Sequence, residues 1–178
     1  MGFQLLNAVG GVATVGNAGL MIVTFDIPRT AGVQDTGFDF QKGDIVLHPY
    51  VDVHTAEVTG TTKTVDMGIL ASESGGDEDG FLQAVVTSAT GIVGPDATAT
   101  DGTNQNFWAA NPKLGALLRT GRLGSDGAAH DDAGCMIPRP WICDGVAKSL
   151  TTTVGSVATE LNAKGVVVFL RTRNAGET

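Results

Sequence analysis

The side chains best suited to chemistry are few and set far apart. Asp77-Glu78-Asp79-Gly80 is the densest carboxylate cluster, and carboxylates on a glycine turn offer the oxygen ligands that a hard cation takes. The spacing is not that of a calcium loop. With Asp77 and Asp79 at loop positions three and five, position one would be Gly75 and position twelve Val86, and neither carries a side-chain oxygen. The cluster reads as a solvated acidic turn, as do Asp131 and Asp132 beside His130. His48 and His54 share one face of an alternating run, but six residues of strand separate them by about 20 Å, too far for a shared metal ion. Cys135 and Cys143 match neither a zinc framework nor a disulfide-dense scaffold; they read as buried free thiols, with a single bridge as the other arrangement.

Nucleophile and nucleotide signatures are missing as well. Around Ser125 the chain reads RLGSDG, which lacks the first glycine of a G-x-S-x-G elbow. The glycine-rich N-terminus has no G-x-x-x-x-G-K-[ST] and follows no strand. Paired carboxylates for glycoside hydrolysis need closeness in space, and nothing in the sequence signals it. Tyr50, Trp108 and Trp141 could stack on a sugar, although three aromatics in such a chain more often plug a core or a subunit contact. No catalytic, cofactor-binding or metal-ligating residue is assigned, and the expectation is a protein that is not an enzyme.

Charge narrows the partners. A formal charge of −8 and a pI near 4.6 oppose nucleic-acid binding, which rests on Lys and Arg against phosphates. The 11 basic residues are scattered, and Arg171 with Arg173 reads as a solvated sheet face. No apolar run is long enough for a transmembrane helix and Met1-Gly2-Phe3 does not open a signal peptide, so the expectation is a soluble product made in a cytoplasm, with no membrane partner.

The elements that must position these residues are strands. Only 17% of residues are charged and 6% aromatic, while 25 are glycine, a mixture suited to strands joined by tight turns. The clearest signal is Asp44–Leu70. Ile45, Leu47, Val51 and Val53 alternate with His48, Tyr50, Asp52 and His54; Val65, Met67 and Ile69 alternate with Thr64, Asp66 and Gly68. With a reversal near Gly60, this predicts an antiparallel hairpin of 44–53 with 62–70. Met21, Val23, Phe25 and Ile27 predict an earlier core strand closed by Pro28, and Phe81–Thr87 a later one.

Residues 94–106 and 124–134 read as polar excursions, Lys113–Thr120 as a strand, and the two prolines of Met136–Ile142 permit only an edge strand or an extended connection. Ala147–Val154 and Gly165–Arg173 are the last strands, the latter central, with a helical turn at Val157–Asn162 between them. The expected fold is all-β: a jelly-roll-like antiparallel β-sandwich over 20–178, preceded by an extended, charge-free N-terminal arm at 1–19 that lies on a partner.

The runs TGTTKTVDMGILASESGGDEDGFL, IPRPWICDGVAKSLTTTVGS and GVVVFLRTR resemble the small jelly-roll decoration, or cement, proteins on the heads of tailed bacteriophages. The resemblance implies a non-enzymatic virion structural protein on the outer capsid surface, synthesised in the bacterial host cytoplasm. It implies two partners, the major capsid protein and further copies of the chain, typically as a homotrimer. Phage tail-tube and baseplate β-sandwiches share this Thr/Val/Gly texture, and a glycan- or receptor-binding virion module is the other alternative.

Overall fold

The computed structural model describes residues 5–7, 13–15, 19–94, 114–120, 137–138 and 140–171. They form two antiparallel sheets packed as a sandwich, with one 3-10 turn at Ala116–Leu118 as the sole helical piece among them. The larger sheet runs in the order β1 (Leu5–Asn7), β2 (Ala13–Val15), β3 (Gly19–Asp26), β13 (Asn162–Arg171) and β5 (Ile45–Thr55). Beyond β5 lie β11 (Trp141–Ile142) at one end and β8 (Gly91–Val93) at the other. The smaller sheet runs β4 (Gly32–Phe40), β12 (Lys148–Val154), β6 (Thr64–Ile69), β7 (Asp77–Val86). A separate ribbon pairs β9 (Arg119–Thr120) with β10 (Ile137–Pro138).

Alternation explains which faces meet. Met21, Val23, Phe25 and Ile27 point inward from the β3 segment, and Val65, Met67 and Ile69 from β6, all buried as the sequence pattern requires. An aromatic group fills the centre: Phe40 packs edge-on against Phe38, Phe81, Trp141 and Phe169 at ring separations of 5.1–5.8 Å. The central position expected for the last strand holds, since β13 is flanked by β3 and β5. The edge position expected near Pro140 also holds for β11.

Several expectations are corrected. The 44–53 and 62–70 runs do not pair: β5 bonds to β13, β11 and β8, whereas β6 bonds to β12 and β7, so they face each other across the core. Period-2 alternation fixes which face is buried but not whether the partner lies alongside or opposite, and residues 56–63 are long enough to cross between sheets about 10 Å apart. Within β5 the register slips opposite Val168/Phe169, so Val46 is buried and Leu47 is 42% exposed, the reverse of strict alternation.

The acidic run Asp77–Gly80 is not a turn but the first part of β7. Lys113–Thr120 is not a continuous strand: Leu114 makes a single bridge to Leu82, and the 3-10 turn follows. Gly115 explains this, because its Cα lies so close to the backbone of Asp79 and Gly80 that a Cβ would overlap it. Val157–Asn162 forms no helical turn; the amides of Glu160 and Leu161 are bonded to a side chain instead. Part of the N-terminal segment extends the sheet, with β2 pairing β3 and β1 forming the outermost strand.

Gly165 gives a direct test of the packing. It pairs with Phe25 across β13 and β3, and a Cβ there would fall inside the Phe25 ring, itself only 2% exposed. Gly165→Ala should therefore destabilise the protein by about 1–3 kcal/mol in chemical denaturation, as overpacking of a filled interior does. An unchanged midpoint would mean that the ring does not cover this glycine.

Candidate functional site

The side chains considered for chemistry are dispersed. His48 and His54 lie exposed on the outer face of β5; His48 stands 6.1 Å from the half-buried Tyr50 ring, and His54 Nε2 lies 3.6 Å from Asp52. Along β7, Asp79 accepts from Gln83 Nε2 at 2.7 Å and Glu78 accepts from the Ala71 amide at 3.4 Å, so these carboxylates are engaged separately. Among the described residues no three His, Cys, Asp or Glu side chains gather as a metal site. Trp141 packs into the core against Phe40 and Phe81, so it is not available to a stacking platform with Tyr50. His130, Asp131, Asp132, Cys135, Trp108, Ser125, Arg173 and the excursions 95–106 and 124–134 lie outside the described residues.

Cys143 is a free, buried thiol. Desolvation, with the nearby Asp44 charge adding to it, pushes its pKa up to about 11. The sulfur lies 3.4 Å from the Val146 carbonyl and 3.7 Å from that of Phe40, and the thiol is protonated at neutral pH. In a Cys135→Ser background, so that only this thiol can react, alkylation by iodoacetamide at pH 8 should be slower than in denaturant by roughly a hundredfold or more. Equal rates in the two conditions would contradict the burial.

Two carboxylates that sequence reading passed over organise the fold instead. Both sit where the chain crosses between sheets, at the two ends of β5. At its start, Asp44 is 1% exposed and takes Arg171 in a two-point grip, Nε to Oδ1 at 3.0 Å and Nη2 to Oδ2 at 2.6 Å; Oδ2 also accepts from the Gln41 amide at 2.8 Å. Arg171 lies with its guanidinium carbon 5.4 Å from the centre of the Phe169 ring, and only 13% of its side chain is exposed. The expectation of a solvated arginine is thus corrected: a buried partner draws it in.

Past the other end of β5, Glu57 is 2% exposed and accepts five hydrogen bonds. Oε1 takes the Thr59 hydroxyl at 2.7 Å and the Gly60 and Thr59 amides at 2.9 and 3.0 Å. Oε2 takes the amides of Glu160 and Leu161 at 3.0 and 3.2 Å. The Thr59 hydroxyl first, and then the Glu160 amide, hold its pKa down to about 2, overcoming the opposing effect of burial.

The loops so tied are cross-linked further. Thr59 and Thr159 hydroxyls meet at 2.7 Å, Arg29 donates to the Leu161 and Thr159 carbonyls, and Ser156 exchanges hydrogen bonds with the Thr62 backbone. From this fixed platform Val58 and Val157 project, 58% and 63% exposed. Such a surface can contact a protein. Compared with protein-family models, curated proteins and solved structures, the chain matches none.

Proposed function

We propose that the chain is a non-enzymatic structural protein of a tailed-bacteriophage virion, which decorates the outer surface of the head by binding the major capsid protein. The observation that carries this reading is the strand connectivity. In the two-sheet antiparallel sandwich the late strands β13 and β12 sit between the early ones, β13 between β3 and β5 and β12 between β4 and β6, and this connectivity supports reading the sandwich as a jelly roll, a fold used by viral shell proteins and lectins. A fold does not choose a function, so the head assignment leans on the sequence resemblance.

The physical demands of a clamp agree with it. A protein that braces a shell needs contact surfaces ordered before docking, since ordering on binding subtracts from affinity. Glu57 and its partners fix one such surface, with Val58 and Val157 at its tip. The N-terminal segment supplies a second attachment, and β1, as the outermost strand of the larger sheet, offers an edge to which a capsid strand can add. Copies of the chain form a homo-oligomer, with a trimer the expected state, so that several weak contacts act together.

Co-sedimentation with emptied heads of the phage encoding the chain tests this. The full chain should pellet with the heads, and a chain lacking residues 2–18 should pellet weakly or not at all while keeping its β-sheet circular dichroism. Equal decoration by the truncated chain would remove the N-terminal segment from the contact.

A further inference from the structure

We propose that Asp144-Gly145, in the exposed bend between β11 and β12, is a self-modification site at which the chain converts its peptide link into an isoaspartyl one. The sequence contains four Asp-Gly pairs, at 79–80, 101–102, 126–127 and 144–145, and the first and last fall among the described residues. Any such pair can react, because glycine has no Cβ to shield its amide nitrogen from the preceding carboxyl group. The fold treats the two differently. Asp144 and Gly145 are exposed, Val146 beside them is 73% exposed, and nothing lies within 4 Å of the place that a Gly145 Cβ would take. Among the described residues no hydrogen bond or ion pair holds the Asp144 carboxylate or the Gly145 amide. The bend has fixed ends: the Cys143 backbone bonds to Gly43 and Asp44 on one side, and Lys148 pairs with Phe40 on the other. Asp79-Gly80 is locked by contrast. It lies within β7, Asp79 Oδ2 accepts from Gln83 Nε2 at 2.7 Å, Gly80 is buried, and a Cβ on Gly80 would overlap the Leu117 side chain.

The conversion uses only atoms of this bend and water. The Gly145 amide nitrogen attacks Cγ of the protonated Asp144 carboxyl group; the N–Cγ bond forms, a Cγ–O bond breaks, and the amide proton leaves with the hydroxyl as water. The product is an uncharged five-membered succinimide. Water then adds to either of its two carbonyls. Opening at Cγ restores Asp144, whereas opening at the main-chain carbonyl frees that carbon as a carboxylate and routes the chain through Cβ and Cγ. The backbone is then longer by one methylene. The added length falls between the two fixed ends, on the stretch whose Val146 carbonyl lies 3.4 Å from the Cys143 sulfur. The charge lost in the ring returns on opening, so the finished change is one of chain path and not of charge or mass.

The conversion is independent of any capsid partner. Purified full chain held warm near neutral pH for several weeks, in buffer and in denaturant, tests it, with isoaspartate located residue by residue by fragmentation mass spectrometry of proteolytic peptides. In buffer, isoaspartate should build up at Asp144 roughly tenfold or more faster than at Asp79, because the locked pair reacts only from locally opened states. In denaturant the two pairs should react at similar rates. Asp144→Glu, whose longer side chain would have to close a six-membered ring, should leave that position unmodified in both conditions. An Asp144 that stays free of isoaspartate in the folded chain, or equal build-up at Asp79 and Asp144 in buffer, would overturn the proposal. A difference just as large in denaturant would assign the contrast to the neighbouring residues in sequence and overturn it as well.

Discussion

Asp44→Ala should destabilise the fold by about 3–5 kcal/mol, the scale expected when one member of a buried ion pair is removed and the other is left without compensation. Arg171, with 13% of its side chain exposed, would keep its charge against Phe169 and lose both of its carboxylate contacts. The Gln41 amide would lose its acceptor too, loosening the turn that carries the chain from β4 into β5. Chemical denaturation should show a lower midpoint at an unchanged slope. Asp44→Ala/Arg171→Met should recover much of the loss, because neither ion is then left buried alone. A shift below about 1 kcal/mol in Asp44→Ala, the range of exposed pairs, would mean that the two residues do not form this pair.

Glu57→Gln should lower the melting temperature and also change how stability depends on acid. The folded-state pKa of about 2 lies below the ordinary 4.5, so the ionised carboxylate contributes stability that is fully present above about pH 4.5 and is lost as pH falls towards 2. Wild type should therefore lose stability across that window, and the amide variant, which has no proton to take up there, should lose less. The amide can still accept through one oxygen but replaces the other with a donor facing the Glu160 or Leu161 amide, or those of Thr59 and Gly60. Parallel stability curves for the two proteins between pH 4.5 and 2 would show that Glu57 does not hold these loops.

The contrast between these two residues and the strands shows what the sequence could convey. Burial on β3 and β6 was legible because side-chain alternation is local: Val23 and Phe25, or Val65 and Met67, announce a buried face without reference to any partner. Pairing was not legible. The 44–53 and 62–70 runs bury compatible faces whether they lie side by side or across the core, and the choice depends on β12 and β13, about a hundred residues later in the chain. Asp44 and Glu57 were missed for the same reason. Their donors are Arg171, Glu160 and Leu161, and nothing in the local sequence distinguishes a buried carboxylate with distant partners from a solvated one. Glu57 had one local hint, the Thr59-Gly60 pair whose amides turn back to its carboxylate. Arg171 was misread because its spacing from Arg173 suggested a surface stripe, whereas its fate was set by Asp44.

The claim that this chain braces a phage head is tested most directly by cryo-electron microscopy of heads incubated with the purified full-length protein. The account predicts added density on the outer surface at symmetry-related positions, shaped as a two-sheet sandwich, touching more than one major-capsid subunit through the β1 edge or the loop end bearing Val58 and Val157. Bare heads, or density confined to the tail, would contradict it.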